Sequence, residues 1–213
     1  ARVTMLDSQT KLPGETYYEN CRDDLIALLP DRSYGRILEV GGGAWPTLRK
    51  LCDLHGATGV GIDTYGEEAP GLEIHTASFE DRAAVEALGG NFDLVIAGDV
   101  FEHLRDPRDS FGFSADLLAP GGILAVSVPN VRFLRLAKEI YFRGTFPRTD
   151  FGFWDRTHLQ WFTKRDVASF AQGAGLEVVD ILCEGPKCPS WAKRNLVGEL
   201  LSLHVKLVAR KPG

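Results

Sequence analysis

The sequence predicts an α/β fold built on a parallel, doubly wound sheet, and three observations predict it. Apolar runs of strand length alternate with amphipathic stretches of helix length through most of the chain. A glycine turn, Gly41, Gly42 and Gly43, separates the first strand from the first core helix. An acidic residue, Asp63, closes the second strand. It stands about 20 residues beyond the glycines, where a nucleotide-binding βαβ unit puts its ribose-binding carboxylate.

The elements follow in order. Tyr17 to Leu29 reads as a helix within an N-terminal cap that runs to about Pro30. Arg36 to Val40 is the first strand, followed by glycines that let backbone approach a ligand. The next helix spans Thr47 to Leu54, with Leu48, Leu51 and Leu54 on one face. Thr58 to Ile62 is the second strand, ending at Asp63 and Thr64. The third is Leu72 to Thr76, leading to Ala77, Ser78, Phe79 and Glu80, and the fourth is Phe92 to Ala97. An amphipathic helix over about Arg108 to Leu118 precedes a Pro-Gly-Gly turn and the fifth strand in LLAPGGILAVSVPN. LEVVDILCEG and HVKLVARKPG supply two more strands.

Which ligand the glycine turn serves is partly settled by what it lacks. The dinucleotide fingerprint needs a third glycine beside a pyrophosphate, and Gly41-x-Gly43 is followed instead by Ala44, Trp45 and Pro46. That argues against NAD or FAD, and no G-x-x-x-x-G-K-[ST] phosphate loop is present. A hydrophobic strand followed by Glu39-x-Gly41-x-Gly43 resembles motif I of the class I S-adenosylmethionine-dependent methyltransferases. The stretch NFDLVIAGDVFEHLRDP resembles the same family's post-II region, and the Pro-Gly-Gly turn and last two strands are also similar to it. The resemblance covers nearly the whole chain. It implies a Rossmann-like, seven-stranded, mostly parallel sheet with a last antiparallel strand and helices on both faces. It implies S-adenosyl-L-methionine as cofactor and S-adenosyl-L-homocysteine as product. The cofactor residues it implies are Glu39, Gly41, Gly42, Gly43, Asp63, Thr64, Ser78, Phe79, Gly98 and Asp99, with His103 facing the transferred methyl. Trp45 follows the last motif glycine and is expected to border the cofactor.

Composition bounds the function. A chain of 213 residues, 44% hydrophobic and 25% charged, is expected to form a single globular domain over 1–213. A net charge of −5 argues against a nonspecific nucleic-acid partner. No apolar run approaches the ~18 residues of a membrane span, and ARVTMLDSQTKLPGETYYEN does not read as a signal peptide. Cys21, Cys52, Cys183 and Cys188 are scattered, which points to reduced thiols in a cytoplasmic protein and to no metal site.

The acceptor side lies in the decoration. Residues 131–163 make a connection far longer than the usual ~4–6 residues and are expected to form a lid. It opens as a helix, VRFLRLAKEIYF, and continues through Phe146, Phe151, Phe153, Trp154, Trp161 and Phe162 to a T-x-x-D capping box at Thr163 and Asp166. The aromatics read equally as lid packing or as flat walls for a sugar face or ring. Arg143, Arg148 and Arg156 read either as solvated surface or as a grip for an acidic acceptor group. DRTHLQWFT resembles a segment of bacterial methyltransferases of the ubiquinone-biosynthesis-like group, which favours a hydroxyl on a sugar or small metabolite. A hydroxyl acceptor needs a base, and the candidates are His103 and His158, the latter with Asp155 near in sequence to orient it. His55, His75 and His204 are expected to be structural or exposed. Two other readings stand beside O-methyl transfer: N-methylation of an amino sugar or metabolite, and a non-catalytic methyltransferase-like scaffold.

Overall fold

The computed structural model describes residues 20–186 and 188–213. Seven strands form one sheet: β1 (Arg36–Val40), β2 (Thr58–Asp63), β3 (Glu73–Thr76), β4 (Phe92–Gly98), β5 (Leu118–Pro129), β6 (Glu177–Glu184) and β7 (His204–Arg210). Their order is β3-β2-β1-β4-β5-β7-β6. The first five pair in parallel, and β7 inserts antiparallel between β5 and β6. The expected Rossmann-like architecture is therefore present, with its one reversed strand. The chain winds outward in opposite senses from β1 and β4, and the crevice for a ligand opens at that switch point, beyond the strands' carboxyl ends.

Alternate residues of the central strands feed two separate cores. Ile37, Leu94, Ile96, Ile123 and Ala125 face one layer, which packs on Leu25, Leu48 and Leu51. Leu38, Val95, Ala97, Leu124 and Val126 face the other, built with Phe111, Ala115, Val167 and Ala171. This period of two, apolar on both faces, is what a central parallel strand covered by helices requires. The first layer carries α1 (Asp23–Ile26) and α2 (Pro46–His55), and the second carries α4 (Pro107–Leu117) and α6 (Lys164–Gly173). The remaining helices are α3 (Arg82–Ala87), α5 (Leu134–Tyr141) and α7 (Leu196–Leu201).

Several expectations need correcting. The predicted helix Tyr17 to Leu29 begins outside the described residues, and the described part holds only the single turn α1. The Arg22 amide donates instead to Thr47 Oγ1 at 3.0 Å, so a tertiary bond takes the group a longer helix would use. In α2 the apolar face stops at Leu51, since Leu54 is exposed two residues before the left-handed Gly56 that ends the helix. The capping box at α6 forms as predicted, with Thr163 and Asp166 bonding reciprocally.

Candidate active site

The glycine turn leaves β1 at the switch point. Gly41 and Gly43 adopt φ values of 71° and 58°, a region that side chains rarely tolerate. The turn is braced from within: Gly41 N donates to Ile62 O at 2.9 Å, and Gly43 N donates to Asp63 Oδ2 at 3.0 Å. Those two amides are therefore committed within the fold, and a Cβ on Gly41 or Gly42 would run into Val100, or into Trp45 and Glu39. Asp63 also accepts Tyr65 N on Oδ1 at 2.8 Å. Each carboxylate oxygen has a second acceptor site left for a hydroxyl, and Thr64 stands exposed beside it.

Trp45 does not border this crevice. Its indole is fully buried beneath the turn, with Nε1 donating to Glu67 O at 2.7 Å. A Cβ on Gly42, Gly61 or Gly66 would come within 2.4, 2.5 or 2.6 Å of its ring atoms, so three glycines make room for one indole. Trp45 caps α2 in the left-handed conformation, with Pro46 at the first helical position. Glu39 also turns inward, where its Oε2 accepts Leu48 N at 3.0 Å and so satisfies an orphan amide at the start of α2. Burial, opposed by that amide, pushes its carboxyl up to about 7.

After β3, Ser78 Oγ accepts Glu80 N at 3.1 Å and closes the turn. Phe79 is buried and lies parallel to Phe101 at 6.3 Å, so its ring belongs to the core. At the ends of β4 and β5, Gly98 and Asp99 meet a residue that motif reading missed. Arg22 Nη1 donates to Asp99 Oδ2 at 3.0 Å, and its Nη2 donates to Ser127 Oγ at 2.7 Å. Ser127 Oγ in turn donates to Asp99 Oδ1 at 2.5 Å. His204 Nε2 stands 3.8 Å from Asp99 Oδ2, so this histidine belongs at the site's edge. It gets there because β7 runs antiparallel, which brings its first residue opposite Pro129 at the end of β5. Burial works against ionisation of Asp99, but the charges of His204 and Arg22 and the Ser127 hydroxyl hold its carboxyl below the usual range.

One short turn beyond Asp99 the two candidate bases come together. The rings of His103 and His158 meet edge to face with centroids 4.8 Å apart. His158 is buried, and its Nδ1 lies 3.0 Å from Phe153 O. A carbonyl only accepts, so Nδ1 carries the proton and Nε2 the lone pair. Burial and the neighbouring His103 hold this imidazole below the ordinary histidine range. Its Nε2 faces Glu102 Oε1 at 4.0 Å. Glu102 is 1% exposed, and neither carboxyl oxygen makes a hydrogen bond among the described residues. Burial above all, with the charge of Asp99, pushes its carboxyl well above the usual range. Both shifts run against an ion pair at this contact, one favouring the acid's protonated form and the other the neutral imidazole. Atoms of Glu102, His103 and His158 lie within 4.8 Å of one another, close enough to share one cation.

Asp155 does not orient His158, contrary to their closeness in sequence. Its Oδ1 accepts the amide of Thr157 at 2.8 Å and the hydroxyl of Thr157 at 2.6 Å, and that hydroxyl lies 3.1 Å from His103 Nδ1. The aromatics of residues 131–163 divide as well. Phe153 and Trp154 pack with Leu136 in a small core of their own, and Phe162 enters the main core. Phe146, half exposed, stands edge-on to Trp154 and Trp161 at 4.6 and 5.2 Å. The arginines are engaged locally: Arg143 with Glu139, Arg156 with Asp150, and Arg148 over Phe146 and Trp161.

With this geometry in view, the model of the methyltransferase domain family matches residues 14–181. The chain belongs to the class I S-adenosylmethionine-dependent methyltransferases. This methyltransferase is 29% identical over 172 residues to a ubiquinone biosynthesis O-methyltransferase of Aromatoleum aromaticum, covering 71% of this chain and 70% of that one. It is 33% identical over 114 residues to a trans-aconitate 2-methyltransferase of Rhizobium leguminosarum, covering 50% and 43%. The matched segment spans less than half the length of the trans-aconitate relatives. An S-adenosylmethionine dependent methyltransferase from Mesorhizobium loti shares the fold with a TM-score of 0.59 at 14% identity, covering 89% of this chain and 96% of that one. S-Adenosylmethionine is the cofactor of this family. The residues present suit it: Asp63 keeps acceptor sites for ribose hydroxyls at the carboxyl end of β2. Among the described residues no helix is long and apolar enough to cross a membrane.

Proposed function

We propose that this methyltransferase transfers a methyl group to a hydroxyl of a neutral small molecule or sugar, with His103 as the base. The observation that carries the reading is the pair of histidines meeting 4.8 Å apart at the end of β4, on the crevice side of the sheet. When bound, the cofactor supplies a sulfonium methyl already activated for displacement. The chain's own work is to hold the acceptor oxygen in line behind that methyl and to take its proton. With the cofactor bound, the acceptor oxygen would take the methyl in line and the carbon–sulfur electron pair would stay with the departing thioether. The acceptor's proton moves to His103 and later returns to water. His103 is favoured over His158 because the free nitrogen of His158 points at the buried Glu102 carboxyl.

A neutral acceptor is favoured because Arg143, Arg148 and Arg156 already have partners in the lid, while Phe146 leaves an aromatic face half exposed for a sugar ring. The cofactor site is proposed to use Asp63 and the turn over Gly41, Gly42 and Gly43, with Thr64, Ser78, Gly98 and Asp99 around it. Glu39 and Phe79 support that site from the protein side.

The test is a screen of sugars, phenols and amines with labelled cofactor, then single-turnover rates for His103→Ala and His158→Ala. His103→Ala should lose about 10²–10⁴ in rate with cofactor affinity kept. A hit list of amines only, or an unchanged rate in His103→Ala, overturns the base assignment. Activity lost in chelator and restored by a divalent cation would make the Glu102, His103 and His158 group a metal centre instead. By calorimetry, Asp63→Ala should weaken cofactor binding by about 1–3 kcal/mol. Wild-type affinity in that variant would remove Asp63 from the site.

A further inference from the structure

The Thr157 hydroxyl has one proton and two neighbours that compete for it, Asp155 Oδ1 at 2.6 Å and His103 Nδ1 at 3.1 Å. A carboxylate accepts only, and a short contact to it is a charge-assisted bond. If the hydroxyl pointed at His103 instead, two sets of oxygen lone pairs would face each other at 2.6 Å. The proton therefore lies toward Asp155, and the hydroxyl oxygen is left as an acceptor. Its remaining neighbour, His103 Nδ1, must then be the donor.

We propose that Thr157, held by Asp155, is a positioning residue that fixes His103 as the Nδ1–H tautomer. Nε2 is then the nitrogen with a free lone pair. This inference rests on the reading of His103 as the base, because only there does the tautomer bear on methyl transfer. The arrangement follows the logic of a triad, in which a third group holds an imidazole in the tautomer its work requires. A lid hydroxyl is interposed between the carboxylate and the ring.

The surrounding structure supports a fixed geometry. Thr157 N donates to the same Asp155 oxygen at 2.8 Å, an Asx turn that sets the hydroxyl's direction. Leu159 N and Gln160 N both donate to Glu102 O, at 2.7 and 3.0 Å. Gln160 Nε2 donates to Arg105 O at 2.9 Å. The lid strip bearing Thr157 is thereby pinned to the turn bearing His103. The groups facing His103 from the elements around it are Glu102 on its own turn, and His158 and the Thr157–Asp155 pair from the lid. His158 is oriented separately, by the Phe153 carbonyl. The two rings are thus set by two independent contacts, one buried and one at the lid's exposed edge.

The test needs no acceptor in its first arm. Two-dimensional ¹H–¹⁵N spectra of the imidazoles, recorded on the ¹⁵N-labelled chain with and without S-adenosylhomocysteine, report which His103 nitrogen carries the proton. Wild type and Thr157→Ser should show Nδ1–H at high pH, where both rings are neutral. Thr157→Val and Asp155→Ala should shift His103 toward the Nε2–H form. An Nε2–H form in wild type, or an unchanged tautomer in Thr157→Val, overturns the proposal.

The second arm measures single-turnover rate with the best hydroxyl acceptor from the screen. Thr157→Val should lose about 10–100-fold, the usual scale for a supporting hydrogen bond behind a reacting group. Thr157→Ser should recover most of it, and cofactor affinity should stay at the wild-type value. A tautomer that shifts with no change in rate would support the positioning contact and overturn His103 as the base, so the two failures are told apart.

Discussion

Trp45 shows how a single side chain can set the identity of residues far from it in sequence. Its ring fills the space that side chains on Gly42, Gly61 and Gly66 would need. Gly61 lies mid-strand in β2, where glycine weakens a strand unless something approaches closely, and the indole is what approaches. Gly61→Ala should cost about 1–3 kcal/mol by overpacking. The penalty should shrink in a Trp45→Leu background, although Trp45→Leu is itself destabilising. Urea unfolding of the four proteins checks this, and an equal penalty in both backgrounds would refute the coupling. The Glu39, Gly41, Gly43 and Asp63 pattern was legible because it is local, a strand end and a turn. The direction Trp45 faces was not legible, because a left-handed residue before Pro46 reverses the expected side-chain direction.

At the scale of elements, the insertion between β5 and α6 is closed at its base. Val131 N donates to Phe162 O at 2.9 Å, and the buried Asn130 bonds three ways. Its Nδ2 donates to Glu199 O at 2.7 Å and Ser202 O at 2.9 Å, while its Oδ1 accepts Arg132 N at 3.0 Å. One amide therefore joins the end of β5, the first residues of the insertion and the end of α7. Asn130→Ala should cost about 1–3 kcal/mol, the price of leaving buried carbonyls unpaired. Hydrogen exchange should quicken at Val131 while the amides of β1 and β4 keep their protection; uniform quickening would mean no local clamp exists. The length of this insertion and its capping box at Thr163 were readable from sequence. The pairing of Thr157 with His103 was not, because the two lie 54 positions apart and nothing in either local pattern marks the other.

For the whole molecule, the strand order follows from local rules, but which ends meet does not. Arg22 reaches Asp99 and Ser127 from the start of α1, and His204 reaches Asp99 from the start of β7, through tertiary closure that no local pattern records. The same closure buries charge of both signs, so stability against pH is a sum of opposed contributions. Asp24, Asp99 and Glu184 have folded values below their ordinary ones, so the stability they give is lost as pH falls through those folded values. His158 is also lowered, so its contribution grows as pH rises from the folded value up to the ordinary histidine value and is flat beyond it. Glu39 and Glu102 run the other way. Their folded values are raised, so the native state holds their protons longer and loses stability as pH climbs above about 4.5. For Glu39 the window runs from its ordinary value of 4.5 to about 7. Glu39→Gln can still accept Leu48 N but cannot ionise. The difference in unfolding free energy between wild type and Glu39→Gln isolates this residue, because the other groups cancel. That difference should move in favour of the variant by on the order of 3 kcal/mol between pH 4.5 and pH 8, and flatten beyond. Any constant offset from the extra amide donors of Gln shifts both ends equally and leaves the slope intact. Parallel stability curves across that window would show that Glu39 is charged in the fold, a buried anion held by the Leu48 amide and the Thr47 side chain.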